Sequence, residues 1–207
     1  MGNYLPFGRL HEGPVNAREK VLESAIRVFA RRGYAGTSVQ EILRATGLSK
    51  PTLYYHFGSK AGLYRAILAY AYDESHERMR SAVGAGGDCE ARLSGAAEAL
   101  FQFTLAHEDL MRLVFATLFA AREEVPPDAI DPARRRRNLE LVREVLAAGQ
   151  RAGDIAAGPS AMELTHAIFG AISHSIRTHL FHPEGALDRR RAARIVALFL
   201  DGARPRR

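Results

Sequence analysis

Apolar side chains recur every three to four residues along most of the chain, which is the period of an amphipathic helix. The first such stretch begins after Asn16, which forms a helix-capping pattern with Glu19, and it ends at Gly33. Its buried side is predicted to consist of Val21, Leu22, Ala25, Ile26, Val28 and Phe29. The residues before it contain Gly and Pro without a sustained period, so residues 1–15 are predicted to form a flexible arm.

The helical period continues in further segments to the end of the chain. Two short segments begin at the capping residues Ser38 and Ser49, and a long one runs from Ser59 to Gly84. Five more are predicted at about 89–106, 108–122, 131–151, 160–181 and 187–203, separated by turn-forming residues. Since no alternating strand pattern bounded by hairpin turns occurs, we predict an all-α fold of about nine helices.

Residues 39–57 form two short predicted helices joined by a turn that contains Gly47. This is the layout of a helix-turn-helix motif, whose second helix enters the DNA major groove. Leu53 and Phe57 are predicted to anchor the second helix, which leaves an outward set of Lys50, Pro51, Thr52, Tyr54, Tyr55 and His56. Hydroxyl and ammonium groups of this kind contact phosphates and base edges. The alternative is a plain helical hairpin that has no DNA partner.

The distribution of charge favours the DNA-binding interpretation. The formal net charge is +6, and residues 1–60 hold nine Lys and Arg against four Asp and Glu. All seven Tyr lie at or before Tyr72, whereas seven of the ten Phe lie from Phe101 onward. A basic segment with Tyr is typical of a nucleic-acid contact, and a Phe-rich remainder is typical of an apolar core or pocket. We therefore predict a DNA-binding domain over residues 16–60 and a larger, apolar-cored domain over residues 61–207.

Other features limit the cellular location and the chemistry. The longest apolar run, Leu113 to Ala121, is too short to span a membrane, and the N-terminus lacks the pattern of a secretion signal. We therefore expect a cytoplasmic protein without a membrane partner. The single Cys89 excludes an internal disulfide. No carboxylate or thiol lies at ligand spacing among the histidines near the C-terminus, so we expect neither a metal nor a cofactor.

The motif residues resemble those of the TetR family of bacterial transcriptional regulators. The resemblance covers Ala17 to about Leu68 and is strongest in the segment Gly-Leu-Ser-Lys-Pro-Thr-Leu-Tyr-Tyr-His-Phe-Gly-Ser-Lys, which ends at Lys60. It implies a three-helix DNA-binding head on a larger helical body, which dimerises through its last two helices and holds a small-molecule pocket. At Gly62 the sequence departs from the family, which usually has an acidic or longer residue there, so the following helix is expected to start more loosely.

The same resemblance implies roles for individual residues. Ser38 caps the supporting helix beside a phosphate, and Gln40 reaches a base edge. The residues expected nearest to the bases are Lys50, Pro51, Thr52 and Tyr55. The residues expected to hold phosphates are Tyr54, His56 and Lys60.

Apolar stripes on the last two helices predict a two-fold homodimer, which a helix-turn-helix protein needs to read the two half-sites of a palindromic operator. The predicted interface residues are Ile172, Ile176, Leu180, Ile195, Leu198, Phe199 and Gly202. The alternative is that both stripes face the core of their own chain, because an amphipathic helix needs only some apolar partner.

A ligand pocket is predicted where sparse polar groups lie among apolar ones. Its predicted lining is Phe101, Thr104, His107, Met111, Phe115, Phe119, His166, Phe169 and Ser173. A hydrophobic or aromatic effector is expected to release the protein, as a repressor, from its operator. The alternative for these aromatic residues is a close-packed core. Two other function classes stay open: an all-α enzyme, although no catalytic motif occurs, and an architectural DNA-binding protein without an effector.

Overall fold

The computed structural model describes residues 16–121, 123–182 and 185–203, and the predicted arm over residues 1–15 lies outside them. Within these ranges the chain forms nine α-helices and no strand, which confirms the predicted all-α fold. The helices are α1 (Ala17–Arg32), α2 (Val39–Arg44), α3 (Lys50–Phe57), α4 (Lys60–Gly84), α5 (Cys89–Ala106), α6 (Glu108–Phe119), α7 (Pro132–Ala152), α8 (Ala161–Phe181) and α9 (Arg189–Ala203).

Capping boxes define the starts of α1, α2 and α8. Asn16 Oδ1 accepts a hydrogen bond from Glu19 N at 2.9 Å, while Glu19 Oε2 accepts one from Asn16 N at 3.2 Å. Ser38 and Ser160 form the same reciprocal pair with the glutamate three positions further on. Each box satisfies backbone N–H groups that the helix itself leaves unpaired. Because the pattern is local in sequence, these starts could be predicted from the sequence.

One compact unit comprises the described residues up to Ala71 together with those of Ala106–Asp131. Within it α1 packs against α2, α3 and α6. Ser24 Oγ donates a hydrogen bond to Ile42 O at 2.8 Å, which ties α1 to α2 in the interior. Five large side chains are almost inaccessible there: Phe29, Ile42, Leu53, Leu63 and Tyr64. Burial of each apolar side chain of this size stabilises the fold by roughly 1.5–3 kcal/mol.

The second compact unit comprises Tyr72–Leu105 and the described residues from Pro132 onward. Within it α7 packs against α8, and α8 packs against α9. Asn138 on α7 donates from Nδ2 to Ser75 Oγ at 3.1 Å, and its Oδ1 lies 3.1 Å from His76 Nδ1. The buried amide is therefore satisfied at both ends, as a buried polar group must be. The apolar core of this unit includes Leu93, Phe101, Phe103, Leu146, Ile168 and Val196.

The two compact units do not coincide with the predicted domains. The first unit contains every described residue of 16–60 and, in addition, part of α4 and all of α6. The reason is the close packing of α6 against α1, a long-range contact that charge and motif do not reveal. The predicted division after residue 60 remains a prediction about which residues bind DNA.

Within the described residues, no helix is both long and apolar enough to cross a lipid bilayer. In the same ranges, no group of three or more His, Cys, Asp or Glu side chains comes together as a metal site.

Candidate nucleic-acid interface

Local signals define both ends of α3. Ser49 Oγ accepts a hydrogen bond from Thr52 N at 3.4 Å, and Pro51 lies in the first turn, where its missing N–H has no cost. Gly58 closes the helix at a φ of +71°, a left-handed conformation that favours glycine, and its N–H donates to Tyr54 O at 2.8 Å. The helix is therefore short and presents a fixed set of side chains.

One side of α3 is buried and the other is open. Leu53 is fully buried, whereas Tyr55 exposes 86% of its surface. Thr52 is half-buried, and its Oγ1 lies 2.8 Å from Ser49 Oγ. The other exposed residues of the helix are Lys50, Pro51, Tyr54 and His56. The structure thus places the predicted outward set on the accessible side, although Phe57, predicted as an anchor, is only half-buried.

The first turn of α2 contains the charged capping residue Glu41 and the exposed side-chain amide of Gln40. Ser38 Oγ accepts from Glu41 N at 3.3 Å, and Glu41 Oε2 accepts from Ser38 N at 2.8 Å. The hydrogen bonds from Ser38, together with the nearby guanidinium groups of Arg32 and Arg44, lower the pKa of Glu41. Gln40 is exposed and forms no side-chain hydrogen bond within the part of the chain that the structure describes. Ser38 therefore fixes the helix end, and Gln40 stays free to contact a ligand.

Lys60, expected to hold a phosphate, makes its contacts inside the chain. Its Nζ donates to Tyr34 O at 2.8 Å and to Thr37 O at 2.7 Å, and it lies 4.2 Å from the centre of the Tyr34 ring. Burial lowers the pKa of this ammonium group. Two of its three N–H donors are used in this way. Lys60 thus ties the start of α4 to the loop between α1 and α2, a contact with backbone carbonyls that the sequence could not reveal.

The start of α4 is tight, contrary to the looseness expected from Gly62. A Cβ atom at this position would lie 2.0 Å from Phe57 O, which is far inside van der Waals contact. Gly62 N also donates a hydrogen bond to Ser59 Oγ at 2.9 Å. The end of α3 thus lies so close to the first turn of α4 that Phe57 O leaves no room for a side chain at Gly62.

The predicted pocket residues divide between the two compact units. His107, Met111, Phe115 and Phe119 belong to the first, and Phe101, Thr104, His166, Phe169 and Ser173 belong to the second. Two of them are exposed: Phe119, at 73%, and His166. The other seven are buried or half-buried. The structure thus gives no support for placing those two in an enclosed cavity. The other seven stay a prediction, and the hydroxyl of Thr104 is already used, since it donates to Leu100 O at 2.8 Å.

The predicted interface residues also differ in exposure. Ile172, Ile176 and Leu180 of α8 are buried in the core of their own protomer, as the alternative interpretation of this stripe required. This finding corrects the predicted side of α8, because a residue within the core offers no surface to a partner. The exposed small residues of α8 are instead Ala167, Gly170 and Ala171. On α9, Leu198 is 68% exposed, Gly202 is exposed, and Ile195 and Phe199 are half-buried.

Comparison with known proteins identifies the segment that carries α2 and α3. The family model described as "Bacterial regulatory proteins, tetR family" matches residues 21–67, a range that includes both helices in full. Residues 21–67 of this chain are therefore similar to the corresponding segment of that family.

Curated relatives match part of this chain. The HTH-type transcriptional activator FasR of Mycolicibacterium smegmatis is 36% identical over 108 residues, which are 52% of this chain and 49% of FasR. The HTH-type transcriptional repressor AcnR of Corynebacterium efficiens is 39% identical over 74 residues, which are 36% of this chain and 37% of AcnR. The chain therefore spans half or less of the length of these relatives.

A solved structure extends the likeness to nearly the whole fold. FadR of Bacillus subtilis, solved in complex with stearoyl-CoA, superposes with a TM-score of 0.77 at 18% identity. The match covers 88% of this chain and 97% of FadR. At that identity the likeness shows a shared fold.

Proposed function

We propose that this chain is a sequence-specific transcriptional regulator that binds double-stranded DNA through α3 and acts as a repressor. The observation that carries the proposal is the open side of α3, where Tyr55 exposes 86% of its surface, together with the exposed cation Lys50 in the first turn of the same helix. A large aromatic side chain this exposed contributes little to folding and is well placed to contact a duplex. The helix-turn-helix relatives AcnR and FasR, a repressor and an activator, support DNA binding in either direction of control. We place the proposed regulator in the cytoplasm, where the DNA of a bacterial cell lies.

The proposed regulator acts as a homodimer through α8 and α9. The exposed Leu198 and Gly202 lie on the outer side of α9, and the exposed Ala167, Gly170 and Ala171 lie on α8. Small side chains let two helices approach closely, and Leu198 gains an apolar environment on association. A two-fold axis would present two copies of α3 to half-sites about 34 Å apart, so the operator is a palindrome.

A small hydrophobic or aromatic molecule with at most one polar end is the proposed effector. Support comes from the fold shared with FadR, which was solved with stearoyl-CoA. To change operator occupancy decisively, the effector must favour the non-binding conformation by a few kcal/mol.

The direct test of DNA binding is a fluorescence-anisotropy titration with duplexes selected from a random pool. The parent protein should enrich a palindrome, and Tyr55→Ala should weaken binding to it by roughly tenfold or more with an unchanged melting temperature. Leu105→Ala, which truncates an exposed apolar residue outside the helix-turn-helix, is the matched control and should bind like the parent. Failure to enrich any sequence would contradict the proposal.

The effector is tested separately by a thermal-shift screen of fatty acyl-CoA thioesters, steroids and aromatic compounds, followed by operator release. A compound that raises the melting temperature and displaces the protein from the operator supports a ligand-responsive repressor. A screen in which none of these compounds alters DNA affinity would instead favour DNA binding without an effector.

A further inference from the structure

A groove between α1 and α2 has no part in the proposed reading of DNA by α3. Its volume is about 430 Å³, and both helices line it. The lining residues are Arg27, Val28, Arg31, Arg32, Glu41, Arg44 and Ala45. Four guanidinium groups thus share one concave surface with a single carboxylate, and all four arginines are exposed. We refer to this surface as the arginine groove.

Only some of this positive charge is neutralised within the chain. Arg32 forms an ion pair with Glu41, whose carboxylate also serves the cap of α2. Arg27 acts on Glu23 of its own helix, where it opposes the rise in pKa that burial causes. Arg31 and Arg44 form no ion pair within the part of the chain that the structure describes. The arginine groove therefore retains a positive field.

Helix dipoles explain part of the cluster but not all of it. Arg31 and Arg32 lie in the last turn of α1, and Arg44 lies in the last turn of α2, where a cation is stabilising. Arg27 lies one turn further from the end of α1, beyond the range of that effect. The dipoles also do not require the cations of two helices to line one groove.

We propose that the arginine groove binds phosphates of the DNA backbone next to the stretch that α3 reads. This inference rests on the proposed DNA binding. Gln40 and Arg44 are four residues apart on α2 and both exposed, so their side chains follow one another on the same side of the helix. A duplex carries one negative charge about every 1.7 Å of its axis, so a backbone that passes Gln40 brings further phosphates near Arg44. Guanidinium groups bind phosphate oxygens in a bidentate manner.

Exposure favours the DNA backbone over a free phosphorylated molecule. A small anion is held best by donors that have been withdrawn from water, whereas each arginine of the groove remains exposed. Exposed cations gain most from a polyanion, because each phosphate they neutralise releases condensed counterions.

The test is the salt dependence of operator affinity for full-length parent, Arg31→Ala and Arg44→Ala. Two duplexes are compared, one that ends at the outer borders of the half-sites and one that is longer by ten base pairs on each side. Loss of one phosphate contact changes the slope of log K against log salt by about 0.9, so each variant should lose about 1.8 in a dimer on the longer duplex. Arg44→Lys, which keeps the charge, should retain most of the slope.

Arg151→Ala is the matched control, because it removes one exposed cation from α7 and should leave both slopes unchanged. If the parent itself shows no sequence-specific binding, the proposed function fails. If the parent binds specifically and both groove variants keep its slope on the longer duplex, the groove proposal alone is overturned. Calorimetry with ATP and pyrophosphate tests whether the groove instead binds a free phosphorylated molecule. If the parent bound either compound, and Arg44→Ala abolished that binding but kept the salt slope of operator affinity, the proposal would also be overturned.

Discussion

Replacement of Lys60 by Met tests whether the Lys60 ammonium group stabilises the fold or contacts a DNA phosphate. The ammonium donates two hydrogen bonds, to Tyr34 O at 2.8 Å and to Thr37 O at 2.7 Å, and lies over the Tyr34 ring. A hydrogen bond contributes about 1 kcal/mol net, and an exposed cation–π contact contributes about 0.5–1 kcal/mol. The half-buried site brings some solvent screening, so we expect a loss of roughly 2 kcal/mol in the free energy of unfolding. For a chain of this size, that corresponds to a melting temperature lower by about 4–8 °C.

The assays for Lys60→Met are calorimetric unfolding and an operator titration at several salt concentrations, at a temperature where the variant stays folded. We expect weaker binding with nearly the parental salt slope, since the altered loop leads into Ser38 and the start of α2. Lys50→Met is the control, because Lys50 is exposed at the start of α3. It should keep the melting temperature and weaken binding to the operator, because Lys50 is expected next to the bases. If Lys60→Met kept the melting temperature and reduced the salt slope of operator affinity, the hydrogen bonds of Lys60 would not stabilise the fold, and a phosphate contact would explain its role.

Three further substitutions test the structure at other points. Gly62→Ala should cost about 1–3 kcal/mol in thermal or chemical unfolding, because its Cβ would lie 2.0 Å from Phe57 O, whereas Gly84→Ala, with open space around it, should not destabilise. Glu41→Gln should lower the free energy of unfolding at pH 7. The difference in stability between parent and variant should shrink as the pH falls below 4.5, because the folded state lowers the pKa of Glu41 and the stabilisation is lost when the carboxylate is protonated. A stability difference that stays constant down to pH 3 would contradict this. Leu198→Asp should turn a dimer into monomers in analytical ultracentrifugation at micromolar concentration, and a monomeric parent would exclude the proposed interface.

Local sequence signals predicted the helices well. The capping pairs at Asn16 and Ser38 and the closing Gly58 are signals within a few residues, and the structure begins or ends helices at each of them. The outward side of α3 could also be predicted from the sequence, because the buried Leu53 fixes which side of so short a helix faces the core.

Long-range contacts could not be predicted in the same way. The partners of Lys60 are carbonyl groups at Tyr34 and Thr37, which have no side-chain signature. The stripe of Ile172 and Ile176 was equally compatible with a core or an interface, since periodicity shows that a side is apolar and not what covers it. The arginine groove forms only when α1 and α2 come together, so its cations appear in the sequence as separate surface charges.

Selection of bound duplexes from a random pool, with the parent protein and with Lys50→Ala, measures whether α3 reads the base sequence. The parent should select a palindrome. Lys50→Ala should relax the preference only at positions related by the two-fold axis, at a cost of about 1–3 kcal/mol per recognised base pair. Identical selected sequences for the two proteins, at unchanged affinity, would contradict the assignment of α3 as the reading helix.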